Sequence, residues 1–174
     1  MSKLIHAEKA RTIEERYEML RKTLAHYLLL QVGTFVGLAG FDAVGPAMNM
    51  LTDMKANLKV EDIKKRETSP MVALSQNLAE SMGETFASDY SVDRGEGART
   101  VSLDRCGCIE SVLDQADSYG LTKAQARSIF CSTCIGSYKK AAETLQLGFQ
   151  GKLRGENGCS MTFSNVDPSS KVAE

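Results

Sequence analysis

The sequence predicts an α+β domain, an antiparallel four-stranded sheet of two hairpins with helices packed on one face. Two pairs of segments with period-two alternation, within 86–103 and 147–163, are each joined by a glycine-containing turn. The other segments show helical periodicity, and two of them open with a capping box. Strands grouped in hairpins, rather than alternating with helices, favour an antiparallel sheet over a parallel one.

Length and composition fit one domain. The chain has 174 residues, of which 43% are hydrophobic and 25% charged, as expected of a globular protein with a sizeable core. We expect a helical N-terminal part over 1–84 and a cysteine-bearing α+β part of the same domain over 85–164. Residues 165–174 are predicted to be a loose tail.

The first predicted helix begins at the capping box Thr12-Ile13-Glu14-Glu15 and runs through Leu30, at the furthest to Val36. Gly33 and Gly37 are four residues apart, so they would allow another backbone to approach closely. That partner is a helix of the same chain or of a second subunit in a homodimer, and the alternative is a helix end frayed by glycine.

Two more helices are predicted before the first strand. Residues 48–58 have a helical pattern with Met50, Leu51, Met54 and Leu58 on one apolar side. Residues 59–69 are charged and are expected to be a connection. Ser69-Pro70 then starts a third helix, with an N-cap serine and proline at the first position, which reaches about Gly83.

The first hairpin is predicted from alternation in 86–92, a turn at 93–97 and a strand at 99–103 with Val101 and Leu103 inward. Cys106-Gly107-Cys108 follows, and a helix is expected from Ile109 to Gly120. A second capping box at 122–125 opens a helix to about Gln146.

The second hairpin is predicted at the end of the sequence. Leu147, Phe149, Gly151 and Leu153 share one face of its first strand, and 155–158 form the turn. Cys159, Met161 and Phe163 share the face of the returning strand that should meet the helices.

Charge and hydropathy exclude two classes of partner. The formal net charge is −1, so electrostatic binding to nucleic acid is not expected. The longest apolar stretch, Tyr27 to Phe41, is interrupted and falls short of the roughly 20 residues needed to span a bilayer. No secretory signal is recognisable at the start, so a cytoplasmic protein with reduced thiols and no membrane partner is predicted.

The five cysteines form the most informative pattern in the sequence. Cys131 and Cys134 are three apart within a predicted helix, which places both thiols on one face at a spacing suited to two ligands of one ion. Cys108 lies at a helix start, where the helix dipole favours a thiolate. Cys159 faces the helices from its strand. We therefore predict one metal ion bound by four of the five cysteines, with Cys106 and Cys108 as alternatives for one position.

Thiolate ligands select zinc or an iron–sulfur cluster over magnesium or calcium. Two other interpretations stay open. Cysteine packs as a small hydrophobe, and Cys131, Cys134, Tyr138, Ala141 and Leu145 form a good core stripe without any metal. The second interpretation is a redox dithiol, although no strand precedes the C-x-x-C as one does in thioredoxin-like motifs.

Catalytic residues are not identifiable from the sequence. Asp104 and Glu110 flank the cysteines and are candidates for a general base or an oxygen ligand, although exposed surface charges are the more ordinary interpretation. His6 and His26, the only histidines, fall in the N-terminal part. No H-E-x-x-H, P-loop or G-x-G-x-x-G motif is present.

The C-terminal half resembles the L-2-amino-thiazoline-4-carboxylic acid hydrolase-like family, which is related to the 4-vinyl-reductase-like small-molecule-binding domains. The resemblance rests on Cys106 or Cys108, on Phe130-Cys131-Ser132-Thr133-Cys134 and on 155–163 with its Gly-Cys and Phe. It covers about residues 85–164. It implies an α+β domain of a kind that is often dimeric, with cysteine-bound zinc beside a pocket for a small apolar or heterocyclic molecule. Cys-Gly-Cys in place of a single cysteine, and the lack of an acid/base histidine, depart from the family pattern.

Three functions follow as expectations. The first is a zinc protein that binds or senses a small apolar or heterocyclic molecule. The second is a metal-dependent hydrolase of a ring C–N or C–S bond in a cyclic amidine or thiazoline, which requires an open coordination position. The third is an iron–sulfur or redox protein that uses the same cysteines.

Overall fold

The computed structural model describes residues 12–166 and has the predicted α+β architecture. Three helices come first: α1 (Ile13–Ala39), α2 (Val44–Ile63) and α3 (Pro70–Glu80). The remaining elements are β1 (Asp89–Arg94), β2 (Ala98–Arg105), α4 (Gly107–Leu113), α5 (Lys123–Thr144), β3 (Leu147–Arg154) and β4 (Gly158–Asn165). Short 3₁₀ turns precede α2 and follow α4, and a π-helical turn, Ser81–Thr85, continues α3.

The sheet is antiparallel throughout, with strand order β1-β2-β4-β3, so that the two predicted hairpins join through β2 and β4. Its covered face carries Val101, Leu103, Cys159, Met161 and Phe163, all buried. The opposite face is polar, and the hydroxyls of Thr100 and Thr162 lie 2.9 Å apart across it. Alternation of apolar and polar residues therefore puts one face against α3 and α5, as predicted.

Both predicted capping boxes are present. The Thr12 hydroxyl accepts from the Glu15 amide, and the Thr122 hydroxyl accepts from the Gln125 amide. Helix α1 extends past its predicted end to Ala39, where Gly40, with a φ of 80°, ends it. Ser69 lies at the N-cap of α3 as predicted, but its side chain makes no capping hydrogen bond.

The core has two parts. One lies between the sheet, α3 and one side of α5, and contains Leu74, Leu78, Tyr138 and Phe163. The second lies between α1, α4 and the start of α5. Cys106 packs against both parts, which places the Cys-Gly-Cys segment where they meet.

Helix α2 corrects the sequence prediction in length and in orientation. It runs to Ile63, so the first part of the expected connection is helical. Met50, Met54 and Leu58 are 69%, 56% and 69% exposed, whereas the buried positions are Val44, Thr52, Ala56, Val60 and Ile63. Close packing of α2 on α5 favours a small residue at Thr52, because a Cβ added to Gly136 would lie 3.1 Å from the Thr52 methyl group.

Other elements differ from expectation at their ends. β1 begins at Asp89, after Ala87 with a φ of 47°, and Tyr90 is 47% exposed. The helix after the Cys-Gly-Cys segment ends at Leu113, and Gly120 ends the following 3₁₀ turn in the left-handed conformation.

At the chain's end, β4 continues to Asn165, where the tail was expected to begin. The tail over 167–174 and His6 lie outside the described residues.

The glycines of α1 differ in their surroundings. A Cβ on Gly33 would lie 3.0 Å from the Tyr119 carbonyl oxygen, so the close approach there is within the chain. Gly37 has no atom within 4 Å of an added Cβ. Within 12–166, no single helix is long and apolar enough to cross a membrane, and α1 with Phe41–Ile63 meets that test only as a pair bent by 120°.

Candidate cysteine site and adjoining pocket

All five cysteines line one small cavity, which we call the thiol cavity. Its volume is about 50 Å³, and Met82, Met161, Phe130 and Ile109 complete most of its apolar wall. A water molecule needs roughly 10–15 Å³, so the space suits a metal ion or a few small atoms. Cys106, Cys108, Cys131 and Cys134 are half-buried, and Cys159 is buried.

The Cys-Gly-Cys segment is fixed by the main chain. Cys106 is the N-cap of α4, and its amide donates to the Asn157 carbonyl at 3.0 Å. The Gly107 amide donates to the buried Ser88 hydroxyl at 3.0 Å. Because Gly107 separates the two cysteines, these bonds fix the segment against the residue that precedes β1 and the turn before β4.

The other three cysteines come from α5 and β4. Cys131 and Cys134 lie on one side of α5, as their spacing predicts. Cys159 lies opposite Leu103 in the β2–β4 ladder and opposite Leu153 in the β3–β4 ladder, on the covered face of the sheet. Three separate parts of the chain thus bring their thiols to one cavity.

Burial controls the protonation of these thiols. Burial, with a smaller contribution from neighbouring thiols, raises the pKa of Cys134 to about 11 and that of Cys159 to about 12. Burial also raises the pKa of Cys108 and Cys131. The expected effect of the helix dipole on Cys108 is therefore outweighed by desolvation, and without a bound cation these thiols are neutral at pH 7.

Three basic side chains lie near the thiols. Arg127 lowers the pKa of Cys131 and Cys159, although less than burial raises it. Lys59 and Lys55 act in the same direction on Cys134. The Nε atom of Arg127 is buried and has no hydrogen-bond partner among the described residues.

The donor set fits a soft cation. The lining has five thiols and two thioethers and no carboxylate or imidazole, and such ligands suit zinc, copper(I) or iron–sulfur chemistry. No three His, Cys, Asp or Glu side chains within 12–166 form a ready-made metal group. Metal binding therefore remains a prediction for Cys106, Cys108, Cys131, Cys134 and Cys159.

The two acidic residues next to the cysteines have partners elsewhere. Glu110 accepts from Arg105 at 2.6 Å, and Asp104 is 70% exposed and lies 3.7 Å from Arg154. Neither lines the thiol cavity. His26 is exposed on α1 and contacts the Tyr119 hydroxyl. In this arrangement Asp104, Glu110 and His26 do not join the thiols.

A second, larger cavity of about 580 Å³ adjoins the thiol cavity, and we call it the apolar pocket. Cys108, Cys134, Met82 and Phe130 line both. Most of its wall is apolar and comes from α1 and the first half of α2, including Leu28, Val32, Phe35, Val44 and Leu51. A volume between about 300 and 1,000 Å³ is typical of small-molecule sites.

One end of the apolar pocket is polar. Lys55, Lys59 and Asp62 reach it from α2, Asn77 and Ser81 from α3 and the turn after it, and Ser137 and Tyr138 from α5. The Lys59 ammonium lies 4.5 Å from the centre of the Tyr138 ring, close enough for a cation–π interaction. The Tyr138 hydroxyl donates to Asn77 Oδ1 at 3.0 Å.

The sequence prediction did not identify this polar end. The sequence pattern predicts Lys59 in a connection and Tyr138 in a core stripe, whereas the helical continuation of α2 brings Lys59 opposite Tyr138. The spacing of Lys55 and Lys59 by four residues was the available signal, because it places both on one helix face.

No protein-family model matches the chain, and no curated protein is significantly similar to it.

Proposed function

We propose that this chain binds a soft metal ion, zinc in the first place, in the thiol cavity and a small, largely apolar molecule in the apolar pocket. The role is binding or sensing, in a compartment such as the cytoplasm that keeps the thiols reduced. One observation carries the proposal: all five thiols line one cavity, and two of them, Cys108 and Cys134, also line the adjoining pocket.

The ligands for the metal would come from the five cysteines. Cys131, Cys134 and Cys159 are the core of the set, and Cys106 or Cys108 completes it. A bound cation stabilises thiolates against the burial that otherwise keeps them protonated, so binding releases protons. Because these residues come from β4, α5 and the start of α4, the metal would join parts of the chain that are distant in sequence.

The metal and the small molecule would share a wall. Binding a metal through Cys108 and Cys134 orders residues that line the apolar pocket, so ligand affinity should depend on metal content. Such a coupling is reciprocal: a ligand that requires the ordered wall also tightens the metal.

Metal content is the first test. Elemental analysis of protein purified without oxygen should give about one zinc per chain, and chelation should lower the melting temperature because binding free energy adds to stability. Cys131→Ser, Cys134→Ser and Cys159→Ser should each lose metal, and comparing Cys106→Ser with Cys108→Ser identifies the fourth ligand. If the protein instead contains iron and absorbs visible light, the iron–sulfur alternative replaces the zinc proposal.

Metal uptake by reduced, metal-free protein is the measurement that can contradict the metal part of the proposal. If the protein takes up neither zinc nor cobalt(II), with no thiolate-to-cobalt absorption band, the metal part of the proposal is wrong.

Ligand binding is the second test. The neutral fluorophore N-phenyl-1-naphthylamine should bind with one site per chain, and its affinity should fall in Leu51→Arg, which puts a charge in the pocket wall. Leu38→Arg is the matched control, because Leu38 is 84% exposed on α1 and lines neither cavity. Equal affinity in both variants would place the fluorophore outside the apolar pocket.

A further inference from the structure

The apolar pocket has a direction. Helix α2 forms one wall from Val44 to Asp62, and the rise of about 1.5 Å per residue separates Val44 from Lys59 by roughly 20 Å. The end near Val44 packs in one cluster with Val32 of α1, and the end near Lys59 lies against Tyr138, which is bonded to Asn77. The pocket is therefore long, apolar at one end and polar at the other.

The polar end carries uncompensated positive charge. Among the described residues, no carboxylate oxygen lies within 4.0 Å of the Lys55 or Lys59 ammonium group. Asp62, the acidic residue of the pocket wall, accepts from Arg66 at 3.0 Å and from Asn77 at 3.2 Å. Arg66 also pairs with Glu80 at 3.1 Å, so Asp62 is engaged by Arg66 and Asn77 rather than by a lysine, and the two lysines have no carboxylate contact of their own.

Lys59 is held in a half-buried position rather than extended into water. Burial lowers the pKa of its ammonium group, and Lys55 lowers it further while Cys134 raises it. A buried cation with no carboxylate partner is costly, and an anion brought by a ligand would remove that cost. Asn77, whose amide donates to Asp62, and the Tyr138 hydroxyl are the neutral polar groups next to it.

We propose that the apolar pocket takes an elongated amphipathic monoanion, with its carboxylate at Lys59 and Lys55 and its apolar body along α1 and the first half of α2. This rests on the proposed function of the pocket and specifies its ligand class. A long-chain or extended aryl carboxylate has the required length and the required single charge. A neutral ligand would fill the same apolar wall and leave the lysines uncompensated.

The test compares two ligands of equal length that differ in the head group. Dodecanoate and dodecan-1-ol compete with N-phenyl-1-naphthylamine for the wild-type protein, and dodecanoate should bind more tightly. Lys59→Met should weaken dodecanoate by about tenfold or more, as expected for a lost charge-assisted hydrogen bond, and leave dodecan-1-ol unchanged. Lys55→Met should act in the same direction with a smaller effect, because Lys55 is exposed.

Lys152→Met is the matched control, because Lys152 is exposed on β3 and is not part of the pocket wall. It should leave both affinities unchanged. Equal affinity of the wild type for the acid and the alcohol, or an equal loss for both in Lys59→Met, would overturn the inference while leaving ligand binding itself intact.

Metal analysis of the same preparations separates the two proposals. If Lys59→Met loses metal and keeps its preference for dodecanoate, the lysine serves the thiolates and the inference is wrong. Displacement of the fluorophore by neither compound would contradict the pocket assignment itself, whatever the metal content.

Discussion

Gly107 lies against the main chain at Phe86 so closely that a Cβ on it would be 1.8 Å from the Phe86 carbonyl oxygen. The same carbonyl accepts from Arg21 of α1 at 3.1 Å. The segment before β1, the start of α4 and helix α1 thus meet at the residue between Cys106 and Cys108. The position of these two thiols depends on that contact.

Replacing Gly107 with alanine should therefore destabilise the protein. The clash is with backbone, which moves only with β1 or α4, so we expect a loss of about 1–3 kcal/mol in the free energy of unfolding. Urea denaturation of the reduced protein measures it. Gly37→Ala is the control, because it has open space and should gain about 0.5–1 kcal/mol from helix propensity. Equal midpoints for the two variants would show that the Phe86 contact carries no constraint.

The sheet and the capped helices were predictable because their signals are local. Alternation in β2 and β4 and the side chains of Thr12 and Thr122 depend on neighbouring residues alone. The orientation of helix α2 was not predictable from local signals, because it is set by how closely α2 approaches α5. At such a crossing Thr52 and Ala56 are buried and Met54 is exposed, the reverse of what side-chain hydrophobicity indicates.

The candidate site also has one part that is predictable from the sequence and one part that is not. Residue type and spacing single out the cysteines, whereas the polar end of the apolar pocket arises from the contact between Lys59 and Tyr138, residues far apart in sequence. A single sequence contains no signal for that contact.

The Tyr138 hydroxyl should contribute to stability through its bond to Asn77. Tyr138 is 2% exposed, so removing the hydroxyl leaves the Asn77 oxygen without its donor. Tyr138→Phe should lower the free energy of unfolding by about 1 kcal/mol, measured by urea denaturation. Tyr90→Phe, on a ring that is 47% exposed, should change it by much less. A Tyr138→Phe variant as stable as the wild type would show that this bond is not made in solution.

Metal-free protein should lose stability above pH 9 because of its buried thiols. The pKa of Cys134 is raised from 9.0 to about 11 in the folded chain, so the unfolded chain ionises first. The contribution of the protonated Cys134 thiol to the free energy of unfolding is therefore complete below pH 9 and is lost as the pH rises toward 11. Because lysines and tyrosines also titrate in this range, the useful quantity is the difference between wild type and Cys134→Ala.

That difference should be constant up to about pH 8.5 and then shrink toward pH 10.5 in chelated, reduced samples unfolded with urea. Ser132→Ala is the matched control, as an exposed neighbour on the same helix, and should keep a constant difference from the wild type. A constant difference for Cys134→Ala as well would mean that its thiol has an ordinary pKa, and that burial does not keep it protonated.

Phe130 should act as the partition between the thiol cavity and the apolar pocket, since it lines both. Phe130→Ala would join the two spaces, so we expect the thiols of metal-free protein to react several-fold faster with an aromatic disulfide reagent. The reagent enters through the apolar pocket, whose wall includes Cys108 and Cys134. Buried Cys159, which lines only the thiol cavity, should show the largest acceleration because it gains a route that it lacked. Mass spectrometry of early time points assigns the modified cysteine.

Phe35→Ala is the control that gives this result its meaning. Phe35 lines the apolar pocket but not the thiol cavity, so its removal enlarges the apolar pocket and leaves the partition in place. Urea denaturation of both variants corrects for thiols that react through global unfolding. After that correction, equal acceleration of Cys159 in Phe130→Ala and Phe35→Ala would show that the two cavities already communicate. The metal and the ligand would then compete for one space, and their binding would be antagonistic, contrary to the positive coupling that a shared wall predicts.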